Sequence, residues 1–451
     1  MHGAFDGARG AVSGLVGRTR SVCPVCLRAL DAEKSVGGDG NIYLEKTCPE
    51  HGHFSALIWE GDRESYLAWG ASDRGGSGVK SAAPSVRGCP RDCGLCAEHL
   101  TDGCCVLLEL TNRCDLRCPV CFASAGERAP RDPTPAEIGA LYDLLNARGG
   151  GFNIQLSGGE PTMRDDLPEL IALGREKGFS FFQLNTNGLR IARETGYAQS
   201  LKAAGLGCVF LQFDGFDERV YTALRGRDIL KEKIAAIDNC AAAGLPVVLV
   251  PVIAPGLNED CIGDLLLFAM DRMPFVRGVH FQPLSRFGRC GVEGGSFRVT
   301  IPRMLREIER QSGGIFKAAD FAGGGAENPY CSFHASYLRS PEGGFRPLGR
   351  GCGCGAVMPS QAREYVASRW GGAPDEGADA AMTDTSSLDD FLRRTRDNSF
   401  SVSGMLFQDA YTLDLERLRR CYICEADAER GMVPFCAYNL TDKDGRALYR
   451  R

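Results

Sequence analysis

Cys114, Cys118 and Cys121 stand in a C-x3-C-x2-C spacing directly after the mostly apolar run Val106 to Leu110. A 4Fe-4S cluster has four irons and usually four cysteine ligands, so three close thiolates hold three corners and leave one iron open. An open metal position lets a small molecule bind the metal and react there, which a closed site forbids. A fragment of a zinc site, or three small buried apolar residues, is the plainer account. It fits less well, because zinc sites usually show paired C-x2-C units.

The chain carries 21 cysteines in 451 residues, and they cluster. The chain is not small and no secretion signal supplies an oxidising compartment, so metal ligation explains them better than disulfides. Cys23 and Cys26 pair with Cys48 and His51 as C-x2-C with C-x2-H, a tetrahedral mononuclear site by spacing that suits zinc or a rubredoxin-like iron equally. Cys89, Cys93 and Cys96 repeat the C-x3-C-x2-C pattern with Cys104 and Cys105 close behind. A nearby fourth thiolate lets that cluster close and restricts it to electron transfer. Cys104 is the expected fourth ligand, because Cys105 opens the next strand. Cys331, Cys352, Cys354, Cys421, Cys424 and Cys436 supply six more thiols. Four of them suffice for a second closed cluster, with Cys331, Cys352, Cys421, Cys424 and Cys436 as candidates. Cys208, Cys240, Cys261 and Cys290 fall outside these groups and read as small buried hydrophobes.

These ligands need a scaffold. Composition is ordinary for a globular protein, with 44% apolar and 24% charged residues and a net charge of −5. Such a balance gives no basic field for a nucleic-acid partner. No apolar run reaches the roughly 18 residues of a membrane span, and Met1 to Gly17 lacks a signal-peptide pattern, so a cytoplasmic protein is expected. From 105 to 289 short apolar runs (105–110, 152–157, 180–185, 208–213, 247–253 and 277–283) alternate with helical stretches. Thr134, Pro135 and Glu137 mark a capped helix start, with Ile138, Leu141, Leu144 and Leu145 on one face. Gly178 stops the helix expected over 165–177. Six such units predict an α/β fold, a parallel sheet curled into a partial (βα)6 barrel with its site at the carboxyl ends of the strands.

Those ends are polar. The second strand runs into Ser157-Gly158-Gly159-Glu160-Pro161, where two glycines let backbone approach a ligand. Asn185 and Asn187 close the third strand, and Gln212 and Asp214 the fourth. Asn258 follows the fifth, as a ligand contact or as the cap of the next helix. His280, Gln282, Arg286 and Arg289 cluster at the expected mouth. The domain plan is a metal knuckle at 18–68, a flexible linker at 69–88, an auxiliary cluster segment at 89–104, the barrel at 105–289 and a cysteine-rich region at 290–451 with an acidic insertion at 371–388.

The loop Thr111-Asn-Arg-Cys through Cys121-Phe-Ala, the Gly158-Gly159-Glu160-Pro161 segment, Cys23-Pro-Val-Cys with Cys48-Pro-Glu-His-Gly, Cys93-Gly-Leu-Cys, Phe281-Gln-Pro and Pro434-Phe-Cys-Ala-Tyr-Asn resemble the radical S-adenosylmethionine (SAM) enzymes. The likeness is to the subfamily of tetraether-lipid synthases and hydroxymethylpterin dimethyltransferases. It implies that Cys114, Cys118 and Cys121 hold a cluster whose open iron chelates SAM, and that one electron then releases a 5'-deoxyadenosyl radical. It places Gly158, Gly159 and Glu160 at the SAM ammonium, Asn185, Asn187, Gln212 and Asp214 near ribose and carboxylate, and Asn258 near adenine. Two auxiliary 4Fe-4S clusters and one mononuclear metal complete the expected set. The first expected reaction is hydrogen abstraction from an unactivated lipid carbon followed by carbon-carbon coupling, with a ferredoxin or flavodoxin as reductant and a peripheral membrane contact. Methylation of a small pterin-like heterocycle and radical maturation of a peptide are the alternatives. A long apolar pocket favours the first, a short polar slot the second, and a peptide-binding face on 23–53 the third.

Overall fold

The structure, a computed structural model, describes residues 14–71, 84–126, 131–291, 298–340, 343–348, 359–371, 395 and 397–450. Cys352 and Cys354, the expected insertion beyond Gly371 and most of the linker lie outside the described residues.

The chain begins with four antiparallel strands in sequential order, β1 (Leu15–Val22), β2 (Ala29–Val36), β3 (Ile42–Cys48) and β4 (Gly52–Trp59). The β1–β2 and β3–β4 turns carry the two ligand knuckles. Alternate residues of β3 point inward, and Lys46 is among them, 3% exposed. Its ammonium donates to the Ala410 carbonyl (2.7 Å) and the Tyr411 carbonyl (2.9 Å), while Lys34 pairs with Asp414 at 2.6 Å. These contacts fasten the ribbon to the chain's own C-terminal third. Helix α1 (Arg63–Gly70), capped by Asp62, follows and runs into the start of the expected linker.

The six expected strands form in order: β5 (Cys105–Thr111), β7 (Asn153–Gly158), β8 (Phe182–Thr186), β9 (Cys208–Gln212), β10 (Val247–Val250) and β12 (Val276–Pro283), all parallel. Short strands β6 (Val120–Cys121) and β13 (Arg289–Cys290) pair with each other, and β11 (Val252–Ile253) pairs with β12. The helices between them are α2 (Pro135–Ala147), α3 (Leu167–Glu176), α4 (Leu189–Arg193), α5 (Tyr197–Ala203), α6 (Glu218–Arg225), α7 (Leu230–Ala242) and α8 (Ile262–Asp271), with α9 (Ile301–Gln311) beyond. The Thr134/Glu137 capping box starts α2, and Gly178, at φ +94°, follows α3 in the left-handed region, which glycine enters readily because it has no Cβ. On α2, Tyr142 joins Ile138 and Leu145 as a fully buried residue, and Leu141 and Leu144 are only half-buried.

Residues beyond 290, expected to form a separate cysteine-rich region, instead extend the same sheet at both edges. Strand β16 (Ser399–Met405) runs parallel to β12, with β14 (Ser332–Arg339) and β15 (Phe345–Pro347) antiparallel outside it. Strand β17 (Ile423–Asp427) runs parallel to β5, with β18 (Gly431–Pro434) antiparallel outside it. Among the described residues the sheet has 12 strands and stays open.

Val106, Leu108, Leu110, Leu156, Leu184, Leu211 and Leu249 face the helices in one apolar core. Their strand neighbours point the other way, as the two-residue period requires. Glu109, Gln155, Asn185, Gln212, His280 and Gln282 are therefore interior-facing, and each keeps part of its surface accessible. Helix α10 (Pro359–Trp370) plugs the amino end of this interior: Trp370 packs on Phe210 at 4.8 Å and on His280 at 5.9 Å between ring centroids. Among the described residues no helix is long and apolar enough to cross a membrane.

Candidate active site

Cys114, Cys118 and Cys121 sit at the carboxyl end of β5, on the loop leading into β6, and all three are partly exposed. Cys118 lies within charge range of both Cys114 and Cys121. Burial pushes the Cys114 thiol up to about 12 and raises Cys118, while the Arg225 guanidinium, hydrogen-bonded to Cys118, opposes the rise there. Such thiols lose their protons on binding a metal. The all-thiolate donor set fits a multi-iron cluster.

The loop is held by Arg289 and by the end of β7. Arg289, expected at the substrate side, instead donates to the Cys118 carbonyl at 2.7 Å and the Ala125 carbonyl at 3.3 Å. Arg286 stacks over Tyr411, and its backbone N–H bonds Asp409. The Gly159 and Glu160 amides donate to the Thr111 (2.7 Å) and Arg113 (2.8 Å) carbonyls. A Cβ at Gly158, whose φ is +121°, would collide with the Thr111 carbonyl, and one at Gly159 with the Arg113 carbonyl. The paired glycines thus let β7 approach the cysteine loop itself.

Glu160, expected at the ammonium, is 2% exposed and accepts from the Thr162 N–H (3.1 Å), the Thr162 and Thr186 hydroxyls (2.7 Å each) and the Asn187 N–H (2.7 Å). A carboxylate offers about four lone-pair sites, so this side chain braces the second and third strand ends against each other. Asn187 donates to Asp115 at 2.7 Å. Asp214 is fully buried in a bidentate pair with Arg225 (2.7 and 2.8 Å), and it also accepts from the Val252 N–H (3.0 Å) and the Gln212 amide. Asn258 caps no helix with its side chain. It staples the 252–258 loop through the Ala254 N–H and the Asp214 and Val252 carbonyls, at 2.8 Å each. Asn185 and Gln212 keep surface toward the interior.

Two cations of this network escaped the sequence reading. Arg225 ends α6, and Lys233 on α7, 0% exposed, donates to the Asn187 carbonyl (2.5 Å) and Gln212 Oε1 (2.7 Å). Burial pulls the Lys233 ammonium down to about 7, against the charge of Asp214. A signal existed: Lys233, Ala236, Ile237 and Cys240 fall on one buried helical stripe, where a lysine is out of place.

In the ribbon, one donor atom from each of Cys23, Cys26, Cys48 and His51 lies within 4.8 Å of the others. Tetrahedral zinc-thiolate bonds of about 2.3 Å set ligands about 3.8 Å apart, so this set fits a single ion. His51 Nδ1 lies 3.6 Å from the Cys23 sulfur and 3.4 Å from that of Cys48.

The description of the Radical SAM superfamily matches residues 108–269, and that of the HMPTM N-terminal zinc ribbon domain matches residues 15–60. The chain is 32% identical over 477 aligned residues to the 7,8-dihydro-6-hydroxymethylpterin dimethyltransferase of Methanocaldococcus jannaschii, across 94% of this chain and 93% of that protein. The chain belongs to the radical SAM superfamily. The end-to-end match places it in the family of that relative. A GTP 3',8-cyclase of Corynebacterium glutamicum strain R is 34% identical over 187 residues, 40% of this chain and 49% of the relative. Among solved structures, SuiB of Streptococcus suis bound to S-adenosylmethionine aligns at 16% identity with a TM-score of 0.39, over 48% of each chain.

As a radical SAM protein the chain uses a 4Fe-4S cluster and SAM, and the three-cysteine loop is where its residues fit that cluster. The other cysteines divide. Cys89 and Cys96 flank buried Cys93, whose thiol also donates to the Pro90 carbonyl at 3.3 Å. Cys104, the expected fourth ligand there, lies within charge range of Arg363 and Glu327, and its amide donates to the Tyr422 carbonyl at 2.7 Å. Cys421 and Cys436 are hydrogen-bonded to each other with Cys331 close by, and Arg417 donates to the Cys331 sulfur at 3.5 Å. Cys424, on β17, has Cys104 and Cys105 as neighbours besides Cys421.

Between this radical SAM loop and the α10 plug lies the interior, and its charged residues also escaped the sequence reading. Glu425 on β17 is fully buried and stands level with Leu107 of β5, so Glu109 is the next residue on the same face. Arg450 pairs with Glu109 at 2.5 Å and donates to Asn439 Oδ1 at 2.6 Å. The Asn439 amide lies beside Glu425 and also donates to the Phe435 carbonyl at 3.0 Å. Burial, and then the Glu109 charge, pushes Glu425 up to about 8. Opposite, His280 bonds Ser403 at 2.9 Å, and burial draws its imidazole down to about 4, which keeps it neutral at pH 7.

Proposed function

We propose that this protein is a radical SAM methyltransferase whose substrate is a compact polar heterocycle of the pterin kind. The observation that carries this reading is the lining of the interior by Glu109, Gln155, Asn185, Gln212, His280 and Gln282, closed at its far end by α10. A flat heterocycle presents hydrogen-bond donors and acceptors around its edge. Each polar group left unmatched in such a site costs about 1–3 kcal/mol, so this lining selects for a polar ring and against an alkyl chain. The relative matched end to end is named for a reaction on a pterin, which agrees in substrate class. Lipid coupling, the first expectation from sequence, calls for a long apolar channel, and these side chains do not favour one. Peptide maturation calls for a free face on 23–53, where Lys34 and Lys46 are committed to the chain's own 410–414.

When bound, the cluster and SAM supply a 5'-deoxyadenosyl radical able to take hydrogen from an unactivated carbon. The rest falls to the chain's residues. Arg289 and the Gly158-Gly159 backbone fix the cysteine loop, Glu160 and the Asp214–Arg225 pair lock the strand ends that face SAM, and the plugged interior keeps bulk water from the reacting carbon. Cys89, Cys93 and Cys96, and Cys331, Cys421 and Cys436, are two sites suited to auxiliary clusters that relay electrons.

Expression in an anaerobically grown host tests the assignment, because the cell provides any co-substrate. Pterin and lipid extracts are compared by mass spectrometry between the intact chain and Cys118→Ala. Methylated pterins that appear only with the intact chain are expected. Unchanged pterins together with coupled alkyl chains would overturn the reading.

A further inference from the structure

Whatever the substrate, we propose that Arg225 sets the reduction potential of the SAM-binding cluster by donating to the Cys118 sulfur, with Asp214 as the counterweight behind it. Hydrogen bonds to the cysteine sulfurs and net charge are among the factors that fix where an iron-sulfur cluster accepts an electron. A cation beside a thiolate ligand favours the reduced cluster, which carries one more negative charge, and a nearby carboxylate favours the oxidised one.

Three observations support it. First, the end of α6 lies against the cluster loop. At Gly226, which follows Arg225, a Cβ would stand 3.6 Å from the Arg117 carbonyl and 3.7 Å from Pro119. The guanidinium reaches the loop itself, with Nη1 3.5 Å from the Val120 carbonyl and the Cys118 sulfur within hydrogen-bonding range. Second, carboxylate, guanidinium and thiolate form a buried row of alternating charge. Asp214 accepts from Nε and Nη2 of Arg225 at 2.7 and 2.8 Å, which leaves the Nη1 side for the loop. The Asp214 side chain is 0% exposed and that of Arg225 9%, so solvent screens this row little. Third, the loop is compensated unevenly. Arg225 is the strongest charge acting on Cys118, whereas Cys114 has the Glu160 and Asp115 carboxylates around it. Arg225 acts through Cys118 and Asp214 through Arg225, so both are positioning residues.

The test is a redox titration of the reconstituted holoenzyme followed by electron paramagnetic resonance, with dithionite supplying the one electron the cluster accepts. The signal to follow is the one that changes when SAM is added, because SAM binds the open iron. Arg225→Met should lower the ratio of reduced to oxidised cluster at a fixed potential by at least about 10-fold, the order that Coulomb's law gives for a unit charge several ångströms away at an effective dielectric of about 20. Tenfold corresponds to about 59 mV for a one-electron couple. Asp214→Asn should raise the ratio, and the double variant should fall between the two. Loosening of the pair alone would move both single variants in one direction, so shifts of the same sign overturn the inference. Where Arg225→Met takes up no iron, a raised ratio in Asp214→Asn supports it and an unchanged or lowered one overturns it. Absence of a SAM-responsive signal in the intact protein, or its survival in Cys118→Ala, overturns the placement of the cluster as well. The pterin assignment enters none of these outcomes.

Discussion

Asp214→Asn is the substitution for which the structure sets the clearest magnitude. Both oxygens of this carboxylate are engaged: Arg225 at 2.7 and 2.8 Å, the Val252 N–H at 3.0 Å and the Gln212 amide. Asparagine has nearly the same shape but puts an NH2 where two donors already converge, and it leaves the Arg225 guanidinium, 9% exposed, without its counter-charge. Breaking one side of a buried pair costs about 3–5 kcal/mol, whereas removing both partners together is often nearly neutral. Unfolding entropy grows with length, so in a chain of this size unfolding as one unit the loss appears as a fall in melting temperature of about 3–5 °C. Calorimetry on the reconstituted protein measures it for Asp214→Asn, Arg225→Met and the double variant. The double variant should recover to within about 1 kcal/mol of the parent. Additive losses, or a single-variant cost below about 1 kcal/mol, would show that the two charges are not coupled and would sink the account of how the fourth and fifth strand ends are locked together.

Two further outcomes follow from other buried groups. Lys233 binds its proton less tightly when folded, at about 7 against an ordinary 10.5. Between those values the unfolded chain holds more protons, so stability rises with pH across that window. Lys233→Met should flatten the rise, by at most about 3 kcal/mol between pH 7.5 and 9.5 in urea titrations; an unchanged slope refutes the placement of the ammonium. For the ribbon, Cys48→Ser should lower the metal content by one mononuclear ion per chain while sparing the iron of the Cys114/Cys118/Cys121 cluster. It should also open 410–414 to proteases, because folding of such a small unit is linked to its metal. Elemental analysis with limited proteolysis reads both, and intact protection at normal proteolysis times argues against a metal-held ribbon.

What the sequence disclosed and what it hid divide along a physical line. Metal ligands and turns are local: Cys23-Pro-Val-Cys, Cys114 through Cys121 and the Thr134/Glu137 cap each act within a few residues, so spacing alone places them. The six-strand alternation was equally legible, since burial on both faces demands apolar runs of strand length. Beyond 290 the strands were missed because β16 reads Ser-Phe-Ser-Val-Ser-Gly-Met and β17 Ile-Cys-Glu-Ala-Asp, small or polar residues without a strong apolar run, although every residue of β16 is buried. They are strands because they add to the exposed edges at β12 and β5, a tertiary fact. Glu160 and the paired glycines each also meet a protein partner brought in from another loop, contacts that lie outside any local window of sequence.

The buried charges show most directly why the interior resists reading from sequence. A periodicity argument assigns burial by apolarity, so Lys233, Glu109 and Glu425 are sent to the surface by rule. Each is tolerated inside because compensation arrives from far along the chain: Lys233 meets a carbonyl 46 residues away, and Glu109 meets Arg450 from the opposite end of the protein. At Lys233 the Asn187 carbonyl, Gln212 Oε1 and the charges of Asp214 and Glu160 offset part of the cost of burial, which still pulls the ammonium down to about 7. At Glu425 the Arg450 charge and the Asn439 amide do the same against burial and the Glu109 charge. The balance at each buried charge is thus set by groups that only the tertiary fold brings together, which no local window of sequence contains.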